Sequence, residues 1–318
     1  MGNIAISNFT KTPKPGNKYP LELVYCENCS LLQLAHNTPR RLLFKNYWYQ
    51  SHINPVIVKD LKEIAKDCKG VHIDIAANDG TLLKYSKAKV KIAVDPSNIK
   101  PDGFKWIQDY WENVTLKTVD TITAIACLYA LPNPNKFIRN ITAHLKPNGV
   151  FIAQLMTLHP FIENSDVGNI CHEHLLYFSY KSLVRLYEQN GLEIYKVEQN
   201  AINGGSYRIF ARHKKKGSIK FKEKEYTIRN FKDFFKRVEK NRADMHFWRT
   251  TISEGESIYG YGASTKANTI LQYYSVYDRL LKAVVDINPN KKGRCTIGTK
   301  EKKYKGKWIT TIPKFKII

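Results

Sequence analysis

The chain has 318 residues, of which 43% are hydrophobic and 25% charged, and a formal net charge of +23. That describes a globular protein of one large or two ordinary domains. No apolar run approaches the ~20 residues a membrane helix needs, and neither a basic secretory n-region nor a myristoylation pattern opens the chain. Six cysteines without regular spacing do not make a disulfide scaffold, so a reducing, cytoplasmic setting is expected.

The positive charge invites a nucleic-acid reading. The lysines are spread along the chain, however, and often alternate with Glu, as in residues 220–224. A lysine-rich solvated surface that attracts anionic ligands is the expectation, without nucleic acid or membrane as partner.

In chain order, residues 1–20 carry Pro13, Pro15 and Pro20 and read as a lead-in loop. Leu21, Leu23 and Tyr25 then alternate with polar residues ahead of Cys26-Glu27-Asn28-Cys29. Cys-x-x-Cys on a strand-turn is half of a tetrahedral zinc site; with no second pair, reduced thiols are the other reading. Residues 40–52 are dense in aromatics, including Tyr47 and Tyr49, fit for packing or for touching a substrate. Residues 54–67 have helical apolar spacing.

Residues 71–85 organise the chain. An apolar, β-branched run (Val71, Ile73, Ile75) contains Asp74 and ends in small residues, Asn78-Asp79-Gly80 turns, and Leu82-Leu83 begin a helical pattern. A second apolar run, 90–94, ends in Asp95, placed to take the two hydroxyls of a ribose. The three-glycine dinucleotide fingerprint is missing. An acid near the strand end suits a ligand with a positive centre, such as the sulfonium of S-adenosylmethionine. Strands at 104–107, 121–128 and 150–155 follow, with a helix over 135–145 stopped by Pro147-Asn148-Gly149. The alternation predicts a parallel sheet with helices on both faces. At the tip of the third strand, Gln108-Asp109 could read an adenine amino group.

Beyond the 150–155 strand, Cys171-His172-Glu173-His174 lies where loops cover the cleft of an open α/β sheet. His172 and His174 are expected on one face of an extended segment, for acid–base work, for a structural hydrogen-bond network or, less readily, for a metal. A helix from Ser179 to Gly191 precedes two strands, 192–197 and 206–211, joined through Asn203-Gly204-Gly205 as an antiparallel edge. Residues 225–255 read as a charged helical connector. A second strand-turn-helix then spans 257–271, with Gly260, Gly262 and Lys266 as an anion cradle, and its second strand covers 280–286.

Taken together, the chain resembles the S-adenosylmethionine-dependent sugar C-methyltransferases. The resemblance rests on Leu-x-x-Cys-x-x-Cys and Leu-x-Gln-Leu within 23–34, Tyr47-x-Tyr49, Asn-Asp-Gly-Thr-Leu-Leu at 78–83, and His-Glu-His at 172–174. It extends to Gly-Gly-Ser at 204–206, Gly-Tyr-Gly-Ala-Ser-x-Lys-x-Asn at 260–268, and Val-Asp-x-Asn-Pro-x-Lys at 285–291. It implies a class I methyltransferase (Rossmann-like) central domain at 53–213 and an N-terminal segment, 1–52, with half a zinc-ribbon-like site. A helical connector at 214–256 and a shortened Rossmann-like domain at 257–318 for a nucleotide-sugar substrate complete the chain, acting as monomer or homodimer.

By this likeness the cofactor is S-adenosylmethionine, held by Asp74, Ala76, Asn78, Asp79, Gly80, Asp95, Asp109 and Gln154. Substrate falls to Gly204, Ser206, Gly262, Ser264, Lys266, Asn268, Asp286 and Asn288. His174 is the base that removes a proton next to a sugar ketone, Glu173 orients it, Tyr47 or Tyr49 supports the enolate, and His172 stands beside them. Zinc at Cys26 and Cys29 is a further candidate.

Several positions depart from the family pattern. Cys171 replaces a Tyr, Ala130 a His, and Ala76 a glycine whose loss would crowd the cofactor; the chain also stops early, in residues 314–318. O-methylation of a sugar hydroxyl, and a non-catalytic or nucleic-acid-binding protein, are the alternatives.

Overall fold

The computed structural model describes residues 1–12, 14–251, 258–276, 281–297 and 309–310. Of the sequence expectations, Ser257, Leu280 and the closing segment 314–318 lie outside the described residues. In chain order come β1 (Asn3–Ala5), β2 (Phe9–Thr10), β3 (Lys18–Pro20), β4 (Leu23–Cys26), β5 (Leu31–Leu34), α1 (Arg40–Phe44), α2 (Pro55–Ala65), β6 (Val71–Ile75), α3 (Thr81–Tyr85), β7 (Val90–Val94), β8 (Lys105–Ile107), β9 (Val119–Ile125), α4 (Pro134–His144) and β10 (Leu145–Met156). After these follow α5 (Leu158–Glu163), β11 (Leu176–Tyr177), α6 (Tyr180–Glu188), β12 (Leu192–Asn200), β13 (Ser206–His213), α7 (Ile228–Thr251), β14 (Ile258–Tyr261), α8 (Thr265–Tyr273), β15 (Leu281–Val285), β16 (Cys295–Thr296) and β17 (Ile309–Thr310).

Seven strands form one sheet in the order β12-β13-β10-β9-β6-β7-β8. β6 pairs in parallel with β7 and β9, β9 with β10, and β7 with β8, while β13 runs antiparallel between β10 and β12. Chain order reverses beside β6, which opens a crevice beyond the carboxyl ends of β6 and β9. The helices follow from local chemistry. Asn54 and Asn133 cap α2 and α4 by accepting from the N–H groups of Val56 and Lys136, each ahead of a proline at the first helical position. In α4 the apolar stripe Phe137, Ile138 and Ile141 is buried against the sheet core. Ser179 and Ser182 form a reciprocal capping box on α6.

Three expectations change. Residues 1–20 are not a lead-in loop: β1 pairs with β3, and β2 pairs with β16, 285 residues on (Thr10 to Cys295). The prolines in this stretch masked strands too short to show a period. The Pro147-Asn148-Gly149 turn does not end α4; that helix stops at His144, and the turn sits inside β10, where the register with β9 shifts between Leu145 and Val150. The strand expected to reach residue 128 stops at Ile125, because Ala126 takes φ 58° and turns the chain.

A smaller parallel sheet, β14-β15-β17, carries α8 between its first two strands. The amino-terminal strand is bound to α8: Asn268 Nδ2 donates to the Ala5 carbonyl at 2.9 Å, and the Ala5 N–H donates to Gln272 Oε1 at 2.8 Å. Among the described residues no helix is long and apolar enough to cross a membrane.

Candidate active site

A cavity of about 520 Å³ opens at the sheet's switch point. Part of its lining comes from the ends of the parallel strands: Asp74 within β6, Ala76 and Asn78 after it, Asp95 after β7, Asp109 after β8, and Gln154 on β10. Tyr47, Tyr49, Glu173 and His174 line it too, as do Ser206 and Ser264, Thr265 and Lys266 at the start of α8. Residues remote from one another in sequence therefore share one space. Of the remaining expected site residues, Asp79, Gly80, His172, Gly204, Gly262, Asn268, Asp286 and Asn288 do not line it.

Asp95 is buried, yet half its hydrogen-bonding capacity is free. Oδ2 accepts from the N–H of Asn78 at 2.8 Å and Oδ1 from that of Ser97 at 2.8 Å. Each carboxylate oxygen has two lone-pair directions, so one on each remains, the pattern two vicinal hydroxyls require. Asn78 and Asp79 do different work. Asn78 bonds the carbonyl of Tyr49 and the N–H of Ser51, and Asp79 Oδ2 accepts from the N–H and Nδ1 of His52. They fasten the aromatic segment over the turn. Gly80 has φ 75°, and a Cβ there would stand 2.8 Å from Pro101, so it shapes the turn. Ala76 lies at φ 56°; a left-handed backbone explains why glycine is expected there, and the methyl adds a wall atom to the cavity.

The His-Glu-His segment is a turn, and this overturns the shared-face expectation: a turn, unlike a strand, sends alternate side chains apart. His172 points toward the amino-terminal strands, with Nε2 bonded to the Tyr19 carbonyl at 3.2 Å, while Glu173 and His174 face the cavity. His174 Nδ1 lies 3.2 Å from the Asn169 carbonyl. A carbonyl only accepts, so the proton sits on Nδ1 and the Nε2 lone pair is free. The ring packs edge-on against Tyr129, with centroids 4.5 Å apart. Burial, aided by the Lys266 charge, pushes His174 down to about 3.

Glu173 is also buried, and burial raises it to about 7 against the opposing pull of its own N–H and the Cys171 thiol. One oxygen, Oε2, has no partner. No hydrogen bond joins Glu173 to His174, so Asn169 does the orienting that the resemblance gives to Glu173. Cys171, where a Tyr is expected, sits beside that carboxylate and pulls it down. Burial, with Glu173 adding to it, raises Tyr47 above the ordinary phenol range, so it is a standing hydrogen-bond donor.

At α8, Ser264 caps the helix by accepting from the Ala267 N–H. Lys266 Nζ reaches Asp166 at 3.3 Å and the Asn203 carbonyl at 3.2 Å. The free amides of the first turn and this cation favour an anion. Asn268 is committed to Ala5, and Asn288 donates to the Trp48 carbonyl at 2.9 Å. Both hold the fold together.

Sequence reasoning missed Asp60 and Arg208. They pair at 2.7 Å behind Gln154, whose amide donates to Asp60 at 2.6 Å and whose oxygen accepts from Arg208 and Asn200. Gln154 thus has its amide and oxygen committed to this network. Asp60, a buried acid on an apolar helix stripe, is the one visible clue. Tyr129, Arg40 and Tyr110 were missed too; Arg40 lies 3.8 Å over the Tyr110 ring and pairs with Glu112.

Cys26 and Cys29 sit on the β4–β5 turn. The Cys29 N–H and thiol hold the Cys26 thiol below its usual range, and burial raises that of Cys29. Among the described residues no group of three or more His, Cys, Asp or Glu could hold a metal, so the zinc expectation has no support.

A family model described as "Methyltransferase domain" matches residues 47–197, and one described as "C-methyltransferase C-terminal domain" matches residues 201–302. C-methyltransferase NovU of Streptomyces niveus is 24% identical over 341 residues, covering 93% of this chain and 81% of that protein. Polyamine aminopropyltransferase 1 of Aquifex aeolicus is 28% identical over 149 residues, 45% of this chain and 50% of that one. Among solved structures, an S-adenosylmethionine-dependent methyltransferase from Thermotoga maritima is 18% identical, covers 49% of this chain and 89% of its own, and superposes with a TM-score of 0.42. One from Clostridium acetobutylicum is 12% identical, with coverages of 52% and 92% and a TM-score of 0.40. The central domain has the class I methyltransferase fold.

Proposed function

We propose that this chain, whose residues 47–197 match a methyltransferase-domain model and 201–302 a C-methyltransferase C-terminal-domain model, uses S-adenosylmethionine to methylate the carbon next to the ketone of a deoxysugar carried on a nucleoside diphosphate. The single observation that carries this reading is the shared cavity, where the strand-end acids, the Glu173–His174 turn and the α8 N-terminus meet. The strand-end side fits S-adenosylmethionine: Asp95 offers two acceptor positions to the ribose, and Asp74 a carboxylate to a positive centre. When bound, the cofactor supplies an electrophilic methyl. The α8 amides and Lys266 suit a diphosphate. In domain terms, residues 53–213 serve the cofactor and 257–318 the nucleotide, with 1–52 clasping the latter.

A C–H bond beside a ketone is a weak acid, so a base and an enolate-stabilising donor must lower the barrier. Glu173, poised near neutrality with an unpartnered oxygen, is the base whose strength best matches the working pH. Tyr47, protonated throughout, donates to the developing enolate oxygen. The free Nε2 of His174 favours a second reading, in which His174 takes the proton and Glu173 does not.

The pH profile of turnover at saturating S-adenosylmethionine separates the two readings. A carboxylate base raised to about 7 loses activity as pH falls below 7, because it is then protonated. A histidine lowered to about 3 stays neutral across that range and gives no such limb. The test incubates protein, S-adenosylmethionine and a keto-deoxysugar nucleotide in deuterated water. Expected are a product with one added carbon-bound methyl and deuterium exchange lost in Glu173→Gln. An oxygen-bound methyl contradicts C-methylation of the sugar, and exchange that survives in Glu173→Gln but not in His174→Ala moves the base to His174.

A further inference from the structure

Asp74 lines the cofactor side of the cavity together with Asp95 and Asp109, and its support is different from theirs. Asp95 accepts two backbone N–H bonds and Asp109 accepts from the Tyr110 N–H and the Asn113 amide. Asp74 is 3% exposed, pairs with no cation, and receives a single bond, from Thr123 Oγ to Oδ1 at 2.6 Å. Among the described residues its other oxygen has no partner.

Behind Thr123 lies a buried polar chain. His72 Nε2 is 2.9 Å from Thr123 Oγ, and His72 Nδ1 is 3.0 Å from Ser86 Oγ. The hydroxyl hydrogen of Thr123 is spent on Asp74, so Thr123 must accept from His72, which puts the histidine proton on Nε2. Ser86 then donates to Nδ1 and accepts from the Ala88 N–H at 3.2 Å. Every donor in the chain points toward Asp74. An Asp74 that is protonated and donates to Thr123 would force the relay to reverse, with the His72 proton moving to Nδ1, or send the Thr123 hydroxyl to the Ile73 carbonyl at 3.5 Å; one protonated on its other oxygen would keep the Thr123 bond but lose its charge assistance. The relay therefore favours the anion, while burial opposes it and lifts Asp74 to about 7.

The other titratable groups around Asp74 do not reverse this. Asp95 and Asp79 raise it further. Cys68, after α2, and Cys127, after β9, are held as neutral thiols by burial, and His72 is pushed down to about 3 by burial and Lys91.

We propose that Thr123, backed by His72 and Ser86, is the positioning residue that readies Asp74 for the positive end of the cofactor, so that binding a cationic cofactor expels the Asp74 proton to solvent. One O–H bond of the carboxyl breaks, the proton leaves to buffer, and the carboxylate remains against the ligand's charge. This rests on the cofactor reading of the cavity.

The test is calorimetric titration of the full chain with S-adenosylmethionine from pH 5.5 to 8.5, in two buffers of different ionisation enthalpy. For the wild type, affinity is expected to rise by up to about 10-fold per pH unit below pH 7 and to level off above it. Close to one proton is released at pH 6. Glu173 titrates in the same cavity, so Glu173→Gln is measured too and should keep the limb.

In Thr123→Val the limb moves to higher pH, giving a wild-type-to-variant ratio of about 10 at pH 7 that closes to within about twofold at pH 8.5. Thr123→Ser restores the wild-type profile. Recovery at high pH is something a misfolded variant would not show. An unshifted limb in Thr123→Val, a loss equal at every pH, or wild-type binding without proton release overturns the relay and leaves the cofactor reading standing. No binding at any pH overturns both.

Discussion

Asp95 and Asp286 occupy equivalent places in two strand-turn-helix units. Asp95 Oδ2 accepts from the N–H of Asn78 in the preceding turn and Oδ1 from its own residue 97; Asp286 Oδ2 accepts from the N–H of Ala263 and Oδ1 from its own residue 288, all at 2.8 Å. What remains differs. Beyond Asp95 is the cavity. Beyond Asp286 is the buried ammonium of Lys291, 3.0 Å from Oδ2 and 2.7 Å from the Ala263 carbonyl, lying 4.9 Å over the Phe9 ring. With Ala263 and Lys291 both on Oδ2, that oxygen is full, so Asp286 cannot take a pair of hydroxyls. The same backbone device leaves a carboxylate open to the cavity in one unit and holds an internal ion pair in the other. Among the described residues of the second unit, those at the α8 N-terminus face the cavity.

Substitutions at the two acids sharpen that contrast most. Asp95→Ala should weaken S-adenosylmethionine binding by about 100-fold or more, since two charged hydrogen bonds at roughly 1.5–3 kcal/mol each are lost. Asp286→Asn should leave cofactor binding unchanged but cost about 3–5 kcal/mol of stability by stranding Lys291, read by denaturant unfolding. A cofactor defect in Asp286→Asn would break the comparison.

Next in size is Glu173→Gln, expected to lower turnover by about 10²–10⁴ while leaving cofactor affinity within a few-fold, measured by product mass and by titration. Lys266→Met should raise KM for the sugar nucleotide by roughly 10–100-fold, the worth of a charged hydrogen bond, with cofactor affinity unaltered. The smallest effect is at Ala76. Relieving its left-handed backbone, Ala76→Gly should stabilise the fold by about 1 kcal/mol, raising the melting temperature by a few degrees.

Much of the central sheet could be read from residues alone. β6, β7 and β9 are β-branched runs buried on both faces, and each meets its turn or its acid near the residue where the apolar pattern breaks. The cleft-facing position of Glu173 and His174 follows from their place after β10. Other features arise from pairings remote in sequence, which no local period encodes. The β2–β16 ladder, the hold of Asn268 and Gln272 on Ala5, and the Asp60–Arg208 pair are of this kind. His172 was misplaced for a related reason: three consecutive polar residues look alike whether the backbone is a strand or a turn, and only the fold sends one away from the other two. Asn268 and Asn288, expected at the substrate, tie the second unit to the amino-terminal segment, and Asp286 pairs with Lys291 inside that unit; only the positions of Ala5, Trp48 and Lys291 disclose that.

The most direct measurement is the stoichiometry of S-adenosylmethionine binding to the wild type, Asp95→Ala and Asp286→Asn by calorimetry. A single equivalent is expected in the wild type and in Asp286→Asn, with binding lost in Asp95→Ala. Two equivalents in the wild type, or a single equivalent that survives Asp95→Ala and vanishes in Asp286→Asn, would contradict the assignment of the cofactor to the central unit.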